Sequence, residues 1–253
     1  MELELRGKKA IITGGTRGIG RAIAEGFAAE GCDVGICARD AEQVTATVAA
    51  LKGRGVNAAG GAFDVADADA LRAWVDEMAA ALGGLDIYVS NVSAQSRSND
   101  EAEWRRSLEV DILATVIGIE AAVPVLEKSD AAAIVFIVTA GAVQVYGPRK
   151  PYPAVKAAGL AHMKHLSHDL APKGIRVNAV SPGSIFFEGG VWDRRSREEP
   201  EKFKRMMELN PMGRMGKPEE IANAVVFLAS PASGYTSGTN LVVDGASTVR
   251  IQN

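Results

Sequence analysis

Along the whole chain, short apolar runs rich in β-branched residues alternate with longer alanine-rich stretches whose apolar positions recur at helical spacing. A strand-helix-strand-helix order has few solutions. Parallel neighbours need a long crossover, and each crossover helix must bury its apolar stripe on the sheet, so the pattern predicts an α/β fold with helices on both faces of a doubly wound parallel sheet. Seven strands are expected, at residues 8–13, 33–38, 57–64, 85–91, 132–139, 175–180 and 240–243. Gly31, Gly53, Gly55, Gly83 and Gly174 stand where the preceding helices should stop in a left-handed residue. With 253 residues and no linker or repeat, residues 1–253 read as a single domain. Its one irregular stretch, 184–211, shifts to aromatic residues, methionine and charge and is a candidate substrate lid.

Charge and composition remove several classes of function. The 28 Lys and Arg against 31 Asp and Glu leave a net charge of −3, with no basic excess to neutralise a nucleic-acid backbone. The longest apolar run, 131–138, is far short of the ~20 residues of a membrane-spanning helix, and MELELRGKKA lacks an apolar h-region. A soluble, cytoplasmic chain with no nucleic-acid or membrane partner is expected. Cys32 and Cys37 are five residues apart beside one strand, which points them to opposite faces and argues against a disulfide.

After the first expected strand comes Thr13-Gly14-Gly15-Thr16-Arg17-Gly18-Ile19-Gly20, leading into apolar positions Ile19, Ile23 and Phe27. Glycines there let backbone N–H groups approach a pyrophosphate, and the helix N-terminus adds about half a positive charge at the same point. The second strand ends at Ala38, where an NAD site would place a carboxylate for the ribose 2′-hydroxyl. Arg39 follows instead. With Arg17 it offers two guanidinium groups to a 2′-phosphate, which favours NADP(H). Asp40 is better read as a helix cap, with Gln43 completing a capping box, than as a ribose ligand.

Tyr152 and Lys156 lie four apart at the start of YPAVKAAGLAHMKHL and share a helix face. Working near pH 7, the phenol would need its pKa of ~10 lowered by ~3 units, about 4 kcal/mol, which a cation at ~4 Å supplies at an effective dielectric of 20. Alone the pair is a chance-level pattern. The ensemble, however, resembles the short-chain dehydrogenase/reductase family along nearly the whole chain, and within it the NADP-preferring, ketoacyl-reductase-like branch. The landmarks are the glycine turn at Thr13 to Gly20, Asp64-Val65, Asn91, Tyr152 and Lys156, the run Ile175 to Asn178, and Pro182-Gly183.

That resemblance implies a Rossmann-type fold and reversible hydride transfer between NADP(H) and a carbonyl or alcohol of a small molecule. The apolar side chains of the lid, from Phe186 and Phe187 to Leu209, offer area to cover a largely apolar substrate. The resemblance also implies that Tyr152 passes the proton while Lys156 tunes it and holds the nicotinamide ribose. Gly14, Thr16, Arg17, Gly18, Ile19, Gly20, Arg39, Asp64, Val65, Asn91, Pro182, Gly183 and Ile185 would line the cofactor, with Asp64 and Val65 at the adenine. A homotetramer is the implied assembly. No metal is expected: His162, His165 and His168 fan over about 120° of one helix.

Four positions depart from the family pattern. Ser90-Asn91-Val92-Ser93 stands for Asn-Asn-Ala-Gly, Thr139 for the catalytic serine, Asp111 for the relay asparagine, and Phe186-Phe187 where a threonine often meets the cofactor. Thr139 keeps a hydroxyl donor. Asp111 either faces Lys156 through one water at ~6.5 Å, offsetting its field, or is protonated or turned to backbone donors. Substrate contacts are expected from 93–96, 143–146 and the lid, where Arg194, Arg195 and Arg197 stand among Glu198, Glu199 and Glu201 and read as a solvated face rather than a receptor for an anionic carrier thioester. Rival readings are an NADPH-binding module without turnover, and a dehydratase or epimerase on the same cofactor.

Overall fold

A computed structural model describes residues 2–145 and 147–251. Seven parallel strands, β1 (Lys9–Thr13), β2 (Asp33–Ala38), β3 (Ala58–Ala62), β4 (Ile87–Ser90), β5 (Ala133–Ile137), β6 (Arg176–Pro182) and β7 (Asn240–Val243), form one sheet in the order 3-2-1-4-5-6-7. The direction of winding reverses between β1 and β4, and the carboxyl ends of these two strands open the crevice where such sheets bind ligands. β3 and β4 are shorter than the spacing predicts, and β6 runs on to Pro182 because its last two residues pair with Val242 and Val243 of β7.

Side-chain alternation along each strand divides the interior into two cores. On one face Ile12, Ile36 and Val89 pack with Ile23 and Phe27 of α1 (Gly18–Ala29) and with Leu51 of α2 (Ala41–Lys52). On the other, Ile11, Tyr88 and Ile134 meet Leu71 and Trp74 of α3 (Ala68–Leu82). Cys32 falls in the first core and Cys37 in the second, both as free thiols, as their spacing implied. α4 (Glu101–Ser107) runs through a π-helical turn, Leu108–Leu113, into α5 (Ala114–Leu126), which packs in the second core together with α6 (Pro151–Leu170). The lid stretch folds as α7 (Val191–Glu198) and α8 (Pro200–Glu208), and α9 (Pro218–Ala229) returns to the first core beside α1.

The ends of the helices follow local chemistry. Asp40, Asp67 and Asp100 accept backbone N–H groups at the starts of α2, α3 and α4. Gln43 gives its backbone N–H to the Asp40 carboxylate at 3.0 Å and its side-chain amide at 2.9 Å, which settles Asp40 as a cap. Gly31, Gly55, Gly83 and Gly174 are left-handed, whereas Gly53 stays right-handed at φ −62° because the turn closes two residues later. Arg176, in the run Ile175 to Asn178, turns its guanidinium to the carbonyls of Leu228, Ala229, Ser230 and Ser233, closing the C-terminal end of α9.

Candidate active site

The crevice begins at the glycine turn. Gly14 and Gly15 donate to the carbonyl of Cys37, fixing the turn to β2. A side chain at Gly20 would place Cβ 2.1 Å from the Gly14 carbonyl oxygen, so only glycine lets α1 start this close to the strand. Asn91 completes the lock, with its side-chain amide donating to the carbonyls of Thr13 at 2.9 Å and Gly14 at 3.2 Å. Unlike α2, α3 and α4, α1 receives no side-chain cap from its N-cap residue, Arg17, which leaves its first amides free for an anion. Arg17 and Arg39 are exposed at the same end of the crevice, and the Arg39 charge acts on Asp64.

Asp64 accepts the Ala66 N–H at 3.1 Å and a guanidinium N–H of Arg106 at 2.9 Å. Burial works to raise its carboxyl, but the Ala66 amide, Arg106 and Arg39 together hold it below the usual carboxylate range. The Val65 side chain is buried in the α3 core. Gly183 donates to the Val243 carbonyl, and Ile185 is buried and bridged to Gly216. These donors, charges and small residues fit a dinucleotide whose phosphates sit on the start of α1.

Tyr152 enters α6 just after Pro151, and its backbone N–H donates to Ser96 Oγ at 3.2 Å. One turn on, Lys156 Nζ lies 3.0 Å from Asp111 Oδ1 and within 3.3 Å and 3.2 Å of the carbonyls of Val92 and Ile137, with side-chain exposures of 7% for the lysine and 0% for the aspartate. The expected water between Asp111 and Lys156 is therefore replaced by a direct ion pair. Asp111 Oδ2 accepts the Ala94 N–H at 3.1 Å, while Oδ1 has no aligned hydrogen-bond donor and faces the ammonium by charge alone. The π turn has a wider coil than an α-helix and is the local element that sets Asp111 toward α6.

The half-buried phenol departs from the sequence expectation in sign. Burial and the Asp111 carboxylate push Tyr152 up to about 12, and a hydrogen bond from the Thr139 hydroxyl works the other way. The lysine is not among the groups that shift it: its ammonium faces Asp111 and the carbonyls of Val92 and Ile137. Thr139 Oγ1 also accepts the Gly141 N–H at 3.2 Å, which holds the hydroxyl at the end of β5 beside the phenol.

In the lid, Arg194, Arg195 and Arg197 pair with Glu198, Glu199 and Asp193, and Arg195 stacks on Trp192 at 4.8 Å. Phe186 packs edge-on to Phe203 at 6.2 Å yet keeps 40% of its surface exposed, and Leu209 and Met212 are exposed as well. Tyr146, at the end of an expected substrate loop, lies outside the described residues.

Residues 14–248 match a family model described as Enoyl-(Acyl carrier protein) reductase. Isoepoxydon dehydrogenase patN of Penicillium expansum is 40% identical over 247 residues, 95% of each chain. The chain belongs to the short-chain dehydrogenase/reductase family. Dehydrogenase/reductase SDR family member 4 of Sus scrofa, another member, is 34% identical over 98% of this chain and 89% of its own. Among solved structures, L-sorbose reductase of Gluconobacter frateurii complexed with NADPH and L-sorbose superposes with a TM-score of 0.92 at 30% identity, covering 99% of this chain and 100% of that one. A short-chain dehydrogenase of Burkholderia cenocepacia in complex with NADP gives 0.86 at 32% identity, covering 96% and 98%. As a member of this family the chain is an oxidoreductase acting on CH–OH donors, with the family's Rossmann fold.

The structure brings Tyr152, Lys156, Thr139 and Asp111 into one connected group, and Arg17, Arg39 and Asp64 to the opposite end of the crevice. Sequence reasoning placed Ser96 only within an expected substrate loop, not as a partner of Tyr152, and missed Arg106. Neither belongs to a motif, and their partners lie 56 and 42 residues away, so no local signal marks these contacts.

Proposed function

We propose that the protein is an NADP(H)-dependent reductase that converts a ketone or aldehyde of largely apolar character to the alcohol. The observation carrying this reading is the grouping of the Tyr152 phenol with the Thr139 hydroxyl and, one helical turn on, the buried Lys156–Asp111 pair. Burial keeps the phenol protonated at neutral pH, so it can give a proton to an oxygen as charge develops on it. A bound nicotinamide supplies the hydride. Thr139 and Tyr152 orient the carbonyl oxygen, Tyr152 donates the proton, and Lys156, held one helical turn on by Asp111 and two carbonyls, is placed to meet the nicotinamide ribose. Phe186, Leu209 and Met212 offer the apolar wall. The NADPH and NADP complexes of the two solved neighbours support the cofactor, and the names of the relatives include both a dehydrogenase and a reductase, as a reversible reaction allows.

Thermal-shift titration with NADPH and NADH, followed by assay of a carbonyl panel, tests this. NADPH should stabilise the protein more and be consumed in turnover. Arg39→Ala should weaken NADPH at least tenfold, ~1.4 kcal/mol, while leaving NADH unchanged. An unaltered NADPH affinity would remove Arg39 from the 2′-phosphate.

The Asp111 carboxylate raises the phenol, so removing its charge must lower it. Asp111→Asn should shift the ascending limb of the pH profile for alcohol oxidation, where Tyr152 must be deprotonated, to lower pH by roughly one unit. An unmoved profile would take Asp111 out of the relay.

The raised phenol also favours a second reading, a module that binds NADPH without turning it over. Failure of every carbonyl and alcohol in the panel, with NADPH bound, would select it.

A further inference from the structure

The glycine turn carries an occupant of its own. Phe187, five residues beyond Pro182, lays its ring on Gly18, the first residue of α1. A Cβ built on Gly18 would stand 2.6 Å from Cζ, 2.7 Å from Cε2 and 3.0 Å from Cε1 of that ring. The ring's other neighbour is also a glycine: a Cβ on Gly190 would come within 3.0 Å of Cε2 and Cζ, and the Gly190 N–H donates to the Phe187 carbonyl at 3.0 Å. Phe187 joins the α1 core as a partly buried residue, with Ile19 among the others that pack against that core. Gly189, at φ +72°, and Gly190 then lead straight into α7. Thus the space that a missing side chain leaves over the uncapped start of α1, where an anion would meet free amides, is filled by an aromatic ring carried on the stem of the lid.

From this geometry we infer that Phe187 is a gate on the cofactor seat. Its ring and a diphosphate compete for the face of Gly18, so the dinucleotide binds only when the ring swings out and moves the 186–190 stem with it. This rests on the NADP(H) reading above and adds a coupling between cofactor entry and lid position. A protein whose competent form is populated to about one tenth binds about tenfold more weakly than the open form.

The test is NADPH binding to the intact protein, with no substrate. Phe187→Thr, which removes the ring, and Phe187→Leu, which keeps an apolar contact with the core, should both bind NADPH more tightly than wild type, the threonine variant by about five- to tenfold. In rapid mixing followed by tryptophan emission, the wild-type rate should level off at high NADPH, because opening precedes binding, and the threonine variant should stay linear. Weaker or equal NADPH affinity in both variants, with wild type binding normally, would overturn the gate and leave the cofactor reading intact. No NADPH binding by any of the three proteins would overturn both.

Discussion

Tyr152→Phe should lower kcat for carbonyl reduction by about 10²- to 10⁴-fold, the range a positioned proton donor contributes. The substitution removes one oxygen and keeps the ring, and the backbone N–H of residue 152 can still reach Ser96 Oγ. Nothing else in the group replaces the donor. The Thr139 hydroxyl can polarise a carbonyl, but its proton is held far more tightly than a phenol's. Lys156 faces Asp111, Val92 and Ile137, away from the role of proton source. NADPH affinity measured on the same protein should change by no more than a few-fold. Turnover undiminished in this variant would sink the assignment of Tyr152 as proton donor.

The second large effect is on stability. Lys156→Met leaves a fully buried Asp111 carboxylate with the Ala94 N–H and no counter-charge, and breaking a buried pair from one side costs about 3–5 kcal/mol. Adding Asp111→Asn removes the stranded charge, so the double variant should be more stable than Lys156→Met alone, a non-additivity that urea denaturation reads directly. A Lys156→Met variant within about 1 kcal/mol of wild type would show that the pair is not electrostatically buried.

Much of this architecture is legible without coordinates, and the reasons are local. Strand alternation and the glycine turn are set within windows of ten residues, and the Asp40 cap needs only Gln43 three positions on. What the sequence hid is set at a distance or by a change of helix type. Nothing in the residues around Asp111 announces a π turn, yet one carries it into direct contact with Lys156, and its carboxylate raises Tyr152, the direction an offset of the lysine's field implies, while burial carries the phenol above its ordinary value. The pairs Arg106 with Asp64 and Phe187 with Gly18 join segments that no spacing rule connects. Strand ends shifted by one or two residues, with β3, β4 and β5 each three residues shorter than expected, because pairing partners rather than propensity decide where a ladder stops.

The sheet keeps the seat of the nucleotide and the seat of the proton on different foundations. α1 and α9 support the first from one side, while α5 and α6 support the second from the other, and the two layers of side chains do not mix. Repacking beneath the start of α1 is therefore buffered from the layer under Tyr152, whereas the second layer, through Val65 and Lys156, reaches both. A laboratory lineage selected for another coenzyme can vary the α1 and α9 layer with the least disturbance to the proton-transfer group.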